Sequence, residues 1–242
     1  MPAYELHYWP GLQGRGEFVR LALEEAGVPY RDVAKEGSER DASRIIAAGL
    51  GDQQVATPPF APPFLKHGKR IIGQTSAILL YLGDRHGLAP KSETGRLWTQ
   101  QLQLTVADAV TEAHDTHHPI ASGLYYEDQK AEARRRSEDF CRQRMPKFLR
   151  WFETVLERNP KGRGHLVGVR VTYAELSLFQ LVSGLTYAFP KASRTALRKT
   201  PKVVALAEAV AARPRIAEYL ASDRRIPFNE SGIFRHYPEL DL

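Results

Sequence analysis

The sequence predicts an α/β unit followed by an all-α unit. Up to about residue 88 the apolar segments are short and mixed in periodicity, and the alternating stretch "YELHY" at 4–8 is typical of a half-buried strand. From Glu93 onward the apolar residues recur at helical spacing almost without a break. We therefore predict two domains, at 1–86 and 93–242, joined by the linker "HGLAPKS".

The first unit is predicted to have the element order β-α-β-α-β-β-α. The Gly- and Pro-rich loop "WPGLQGRGEF" follows the first strand, and Gly27 is expected to end the helix that comes next. The further elements are a strand at 29–33, a helix at 39–48, and a hairpin at 64–72 that turns at His67-Gly68. Because a helix connects the first two strands, we expect them to be parallel, with the hairpin adding an antiparallel edge.

The second unit is predicted to be helical, with two long loops. Thr172 and Glu175 have the spacing of a capping box, and the apolar residues after them leave almost no polar face, so this helix is expected to be buried. The predicted helices are 93–121, 127–158, 172–188, 198–212 and 213–221, and the loops are "NPKGRGHLVG" and "AFPKASRTALRKTP".

Composition narrows the class of protein. The 242 residues include a single cysteine, Cys141, which excludes an internal disulfide framework and a multi-cysteine zinc site. The net charge of +6 is concentrated at 130–150, but acidic residues are interspersed there, which favours a solvated helix face over a nucleic-acid site. No stretch is long enough to span a membrane, and the N-terminus is strand-like without a signal pattern. We expect a cytoplasmic protein that binds neither nucleic acid nor membrane.

Three polar residues precede the apolar run of the helix predicted after the hairpin. They are Gln74, Thr75 and Ser76 in "GQTSAILLYL". The first N–H groups of a helix have no partner within it and carry a partial positive charge, so they favour anions. A hydroxyl of Thr75 or Ser76 would equally well cap the helix. The residues alone leave open whether this is an anion site or a simple cap.

Three motifs, in order and at matching separations, give the chain a family resemblance. They are Tyr8-Trp9 followed by Gly14-Arg15; Pro63 followed twelve residues later by Thr75; and Gly168, Thr172 and Glu175 in "GVRVTYAELSLF". Over nearly its whole length the chain resembles the cytosolic glutathione transferases, as a tyrosine-type member of bacterial or fungal kind. The resemblance implies an N-terminal thioredoxin-like domain that binds glutathione. It also implies a helical bundle domain with a hydrophobic substrate pocket and a C-terminal tail.

The resemblance also assigns glutathione-binding residues. It implies that the γ-glutamyl carboxylate lies at Gln74 and Thr75, with Ser76 as a further contact. It places a cis peptide bond before Pro63 and expects the backbone of Pro62 to pair with the cysteinyl part of glutathione. Pro62 has no N–H, so one of these two hydrogen bonds cannot form in the usual way.

Asp108 matches the aspartate that contacts the glutathione of the partner subunit, which implies a homodimer. An exposed helix acid is the alternative interpretation of this residue.

The resemblance implies that the chemistry is thiol activation. Tyr8 occupies the position of the hydroxyl that donates to the glutathione sulfur, and Arg15 that of an arginine supporting the thiolate. Alternatively, Tyr8 is a core aromatic on the same strand face as Tyr4 and Leu6. Arg15 could equally be the partner of an acidic residue in an ion pair. Cysteine-type chemistry is not expected, since Cys141 is far from the first strand in sequence.

A group of histidines is the remaining candidate site. His114, His117 and His118 fall at i, i+3 and i+4 on a predicted helix, where they would bind zinc if a fourth ligand were present. No such ligand is evident, so no metal is expected. We expect these histidines to line the second, hydrophobic pocket together with a set of aromatic residues, Tyr125, Tyr126, Tyr187 and Phe189.

The resemblance therefore implies a detoxification enzyme that joins glutathione, as co-substrate, to small electrophiles, or that reduces organic peroxides. A glutathione- or ligand-binding protein without turnover, and a glutathione-dependent isomerase or lyase, are the alternatives. The residues of the second pocket follow no motif that would name the electrophile.

Overall fold

A four-stranded sheet forms the first part of the protein, and the computed structural model describes residues 4–242. Residues 1–3, the beginning of the predicted strand-like N-terminus, lie outside the described residues. The strands are β1 (Tyr4–His7), β2 (Tyr30–Asp32), β3 (Phe64–His67) and β4 (Arg70–Gly73), in the spatial order β2-β1-β3-β4. β1 is parallel to β2 and antiparallel to β3, which confirms the predicted parallel pair and antiparallel hairpin.

Three helices accompany the sheet, as predicted. They are α1 (Gly16–Ala26), α2 (Glu39–Leu50) and α3 (Thr75–His86). Gly27 ends α1 with a φ of 65°, a conformation that glycine adopts without the penalty of a side chain. The apolar faces of α1 and α3 pack into the main core together with β1.

The rest of the described chain is helical. Its helices are α4 (Glu93–Asp115), α5 (Lys130–Asp139), α6 (Met145–Arg158), α7 (Tyr173–Ala188), α8 (Pro190–Leu197), α9 (Pro201–Ala211) and α10 (Pro214–Leu220). Helix α7 is buried along most of its length, and the capping box of Thr172 and Glu175 at its start is confirmed. The N–H of Thr172 donates to Glu175 Oε2 at 2.8 Å.

Three helix boundaries were predicted wrongly. The helix predicted at 93–121 ends at Asp115, because Pro119 disfavours helical conformation in the residue before it. The helix predicted at 127–158 begins at Lys130 and contains a π-helical segment at Phe140–Arg144. The loop predicted at 188–201 contains α8, since Pro190 at the first helical position starts a helix rather than breaking one.

The fold class is confirmed: a small mixed sheet with flanking helices is followed by a mostly helical region. The division into domains at 1–86 and 93–242 stays a prediction. The predicted cis peptide bond is present between Pro62 and Pro63. Among the helices of residues 4–242, none combines the length and apolar character needed to cross a bilayer.

Candidate active site

Strand register gathers three of the expected site residues at one edge of the sheet. His7 pairs with Phe64, and Phe64 pairs with Gly73 across the hairpin. The residues that continue this row are Tyr8, Pro63 and Gln74. The sheet thus places the expected thiol-activating tyrosine, the cis proline and the polar helix start at the same edge.

A cleft of about 220 Å³ opens beside this edge, between the start of α3, the start of α1 and one face of α4. Four of the expected residues line it, namely Arg15, Gln74, Thr75 and Ser76. The residues that sequence reasoning missed are Phe18, Gln103, Val106, Ala107, Val110 and Thr111. The α4 members recur at 103, 106, 107, 110 and 111, a helical spacing that identifies one face but not what that face covers.

The start of α3 has no side-chain cap. Gln74 is the N-cap residue, and no side chain there accepts a hydrogen bond from the helix. The Thr75 hydroxyl is directed away from a capping role and donates to the carbonyl of Arg15 at 3.4 Å. The simple-cap interpretation is therefore wrong, and the helix start keeps donor capacity for an anion in the cleft.

Gln74 has a strained backbone conformation. Its φ is 64° and its ψ is 119°. Among the described residues it is the single non-glycine residue with a positive φ. Such a conformation costs about 1–3 kcal/mol and persists where the surrounding structure enforces it, often at ligand sites. Gln74 lines the cleft, so the strained residue lies at the helix start that is expected to bind an anion.

Tyr8 lies against the glycine loop that follows β1. A Cβ at Gly14 would come within 2.0 Å of the Tyr8 hydroxyl, and one at Gly16 within 2.6 Å of its ring, so this packing requires glycine at both positions. The backbone N–H of Arg15 donates to the Tyr8 hydroxyl at 2.9 Å. Burial raises the pKa of Tyr8, so the phenol keeps its own proton, which remains available for donation.

Arg15 brings a positive charge to the cleft. Its guanidinium lies 3.5 Å from Thr111 Oγ1 on α4. Among residues 4–242 it forms no ion pair with an acidic side chain, so the ion-pair interpretation finds no partner there. An unpaired guanidinium at a cleft wall favours a negatively charged ligand group.

Four expected residues do not line the cleft of this chain, namely Tyr8, Pro62, Pro63 and Asp108. Tyr8 is buried behind the wall of the cleft, where its hydroxyl contacts the backbone of the lining residue Arg15. Pro62 and Pro63 lie at the end of the loop before β3. Asp108 is exposed on α4, one position beyond the lining residue Ala107. The exposed position of Asp108 leaves this carboxylate accessible to a second subunit.

The three histidines form a cluster at the end of α4. Their ring centroids lie 4.8–5.0 Å apart. Burial lowers the pKa of His117 to about 3 and that of His114 to about 4, the latter with added repulsion from His118 and Arg15. At neutral pH the cluster is therefore uncharged. Within the described residues no group of three histidine, cysteine or acidic side chains has the arrangement of a metal site.

The aromatic residues expected in a second pocket are dispersed. Phe189 is 2 % exposed and packs against Phe140 in the core, so its assignment to that pocket is wrong. Tyr187 stacks on Phe228 near the C-terminal segment, while Tyr126 stacks on Tyr237. His114, by contrast, is one helical turn beyond Thr111, which lines the cleft.

Fold and site together define a protein with a thioredoxin-like sheet, a cis proline at its edge and a helical region that closes the cleft. A family model described as "Glutathione S-transferase, C-terminal domain" matches residues 114–223. Glutathione S-transferase P 1 of Xenopus laevis is 27% identical over 229 residues, covering 93% of this chain and 95% of that protein. S-crystallin 4 of Enteroctopus dofleini is 25% identical, covering 94% of this chain and 100% of that protein.

A solved structure, the Pi-class glutathione S-transferase of Onchocerca volvulus, superimposes with a TM-score of 0.71 at 22% identity, covering 95% of this chain and 99% of that one. The family model and these relatives together support membership of the cytosolic glutathione S-transferase family. The chain's similarity to relatives that carry this name supports the glutathione S-transferase enzyme class. The bacterial or fungal subtype stays a prediction.

Proposed function

We propose that this protein is a glutathione transferase of the tyrosine type, acting on small electrophiles. The observation that carries the proposal is the cleft where the uncapped start of α3 meets Arg15, with the Tyr8 hydroxyl bonded to the same arginine's backbone. The start of α3 suits a carboxylate, and the side with Arg15 and Tyr8 suits a thiolate.

Glutathione would bind with its γ-glutamyl carboxylate at Gln74, Thr75 and Ser76. Charge-assisted hydrogen bonds to helix N–H groups and a hydroxyl are the interactions that such a carboxylate favours. The cysteinyl part would lie along the backbone before the cis bond, where Pro62 offers a carbonyl acceptor but no N–H. The Pro62 carbonyl would then accept the single backbone hydrogen bond available there.

Tyr8 and Arg15 would activate the thiol. A free thiol has a pKa of about 8.5, so little thiolate is present at neutral pH. A neutral phenol donating to sulfur, together with a nearby guanidinium, stabilises the thiolate and lowers that pKa. The thiolate sulfur then forms a bond to an electrophilic carbon, and either a leaving group departs or, for an isothiocyanate, the nitrogen takes up a proton. With an organic peroxide the sulfur attacks one oxygen, the O–O bond breaks and the alcohol leaves, and a second glutathione reduces the resulting sulfenic acid to the disulfide and water.

Exposed apolar residues support a homodimer. Leu97 and Leu104 on α4 are 60 % and 49 % exposed, and they lie on the same helical face as the exposed Asp108. Phe60, in the loop before β3, is 94 % exposed. The two leucines give one face of α4 an exposed apolar surface, which favours an interface at that face. A second copy packed on this α4 face would bring its Asp108 towards the first copy's cleft, where it would bind the ammonium of glutathione.

A substrate panel tests the proposal. The purified protein with glutathione is offered an aryl halide, an isothiocyanate and an organic hydroperoxide, and conjugation or glutathione oxidation is followed. Turnover of at least one compound is expected, with no metal added. Binding of glutathione without turnover of any compound would contradict the proposed activity. A cytoplasmic location and a role in detoxification belong to the same proposal.

A binding protein without turnover is the second candidate. It is favoured by Pro62, because loss of one backbone hydrogen bond to the cysteinyl part weakens control of the sulfur position. A relative that is not named a transferase, S-crystallin 4, is among the similar proteins. The substitution Pro62→Leu restores the backbone N–H. If this change greatly raises turnover, Pro62 limits catalysis in the native chain, and a binding role without turnover is favoured.

A further inference from the structure

A buried hydrogen-bonded connection joins the loop of Arg15 to helix α7. The side-chain amide of Gln180, fully buried on α7, donates from Nε2 to Oε1 of Gln13 at 2.8 Å. The amide nitrogen of Gln13, itself 5 % exposed, donates to the carbonyl of Ile226. Both ends of the Gln13 amide are therefore fixed by groups more than 160 residues away in sequence.

Arg225 fixes the orientation of the Gln180 amide. Its guanidinium donates to Gln180 Oε1 at 3.3 Å and to Glu17 Oε1 at 3.0 Å. Because a guanidinium offers only donors, it binds the oxygen of Gln180 and leaves the amide N–H groups for Gln13. The Tyr219 hydroxyl also donates to Glu17, at 3.0 Å, which holds this carboxylate in place.

The loop backbone is held from the same buried side. Arg20, which is fully buried, donates to the carbonyls of Leu12 and Gln13 at 3.3 Å each. Two residues further along, the N–H of Arg15 donates to the Tyr8 hydroxyl. Gln13 is thus the point at which the buried network meets the short loop that sets the contact between Arg15 and Tyr8.

We propose that Gln180 is a positioning residue for thiol activation, an inference that rests on the proposed function. Through Gln13, it holds the Arg15 N–H on the Tyr8 hydroxyl, although Gln180 does not line the cleft. A purely structural role would lower the free energy of unfolding when Gln180 is changed. If Gln180 has a positioning role, changing it would also raise the pKa of the bound thiol and lower kcat, while glutathione binding would stay intact.

The deciding variant is Gln180→Met, which keeps the length of the side chain and removes both hydrogen-bonding groups. We expect the thiol pKa in the glutathione complex to rise by about one unit and kcat to fall by roughly tenfold. KM for glutathione should change by less than about twofold, because Gln74, Thr75 and Ser76 are untouched. Amide hydrogen exchange at Arg15 should become faster in the ligand-free protein.

Two control variants separate positioning from stability. Ser177→Ala, on the same helix, removes a buried hydroxyl that has no hydrogen-bond partner in the described structure and should change nothing. Asn159→Leu removes hydrogen bonds to three loop carbonyls, those of Gly162, His165 and Gly168. It should destabilise the fold without moving the thiol pKa.

Several outcomes are decisive. If Gln180→Met behaves like Asn159→Leu, losing stability but keeping thiol pKa and kcat, the positioning role is overturned. If Gln180→Met does not fold, Gln180→Glu replaces it under the same criteria, since a carboxylate still accepts from Arg225 but cannot donate to Gln13. If the wild-type protein shows no thiol activation, the proposed function fails. In that case amide hydrogen exchange at Arg15 alone tests the positioning role of Gln180. Faster exchange in Gln180→Met than in the wild type supports this role, and unchanged exchange overturns it.

Discussion

Thr75 donates a hydrogen bond to the carbonyl of Arg15, whose own N–H donates to the hydroxyl of Tyr8. The start of α3 and the loop after β1 are therefore joined through the two backbone groups of one residue. The proposed carboxylate-binding group and the proposed thiol-activating group share this residue. Experiments on either must therefore separate loss of a ligand contact from movement of the other group.

Thr75→Ala should weaken glutathione binding. A hydrogen bond to a charged carboxylate is lost, for which we expect a loss of about 1–3 kcal/mol in binding free energy by calorimetry. Thr75→Ser is the matched control, because it keeps the hydroxyl that also contacts Arg15, and its affinity should stay near that of the wild type. A folded Thr75→Ala variant with unchanged affinity would show that the carboxylate binds elsewhere.

Asp108 should serve the cleft of the partner subunit. Asp108→Asn and Thr75→Ala should each impair glutathione binding in a dimer of identical subunits. In a mixed dimer, the Asp108→Asn subunit keeps Thr75 and receives Asp108 from its partner, so one site of the two is intact. In an equal mixture with free subunit exchange about half of the dimers are mixed, so about a quarter of the wild-type number of sites should be restored, counted by glutathione titration.

Two results would contradict the shared site. No recovery in the mixture would show that Asp108 acts within its own chain or not at all. A protein that is monomeric by light scattering at micromolar concentration and still binds glutathione would also rule out the composite site.

His7 should make folding stability fall in acid. It is 1 % exposed and stacks on Phe64 with ring centroids 4.4 Å apart. Burial lowers its pKa from 6.5 to about 4. As pH falls below about 6.5, the imidazole of His7 is protonated in the unfolded chain before it is protonated in the folded one. The stability that the neutral imidazole contributes is therefore complete above pH 6.5 and is lost as the pH falls towards 4.

His7→Phe removes this proton uptake and keeps a stacked ring. Between pH 7 and about 4.5, urea unfolding should show that the wild type loses about 2 kcal/mol more than the variant. Parallel pH profiles for the two proteins would mean that His7 is protonated equally in the folded and unfolded states.

The sequence predicted those features that local patterns encode. The order of elements in the first unit, the capping box at Thr172 and the end of α1 at Gly27 depend on neighbouring residues, and all were confirmed. The helix α8 was missed because Pro190 lay among loop-forming residues, where a helix-starting proline cannot be distinguished from a helix-ending one. The family resemblance, and not any local pattern, supplied the cis bond at Pro63.

The candidate site was only partly predictable, because much of it depends on contacts between distant segments. Arg15, Gln74, Thr75 and Ser76 were expected and meet in one cleft. The α4 face that closes this cleft, and the pair of Gln13 and Gln180, had no local pattern to identify them. The members of that pair are 167 residues apart, and a buried glutamine has no sequence preference that names its partner.

The most direct measurement is the titration of the glutathione thiol in complex with the wild type and with Tyr8→Phe. The substitution keeps the ring that packs on Gly14 and Gly16 but removes the phenolic donor. Thiolate absorbance in the variant complex should appear at higher pH, and turnover should fall by roughly ten- to a thousandfold, with glutathione affinity little changed. A variant that titrates and turns over like the wild type would contradict thiol activation by Tyr8.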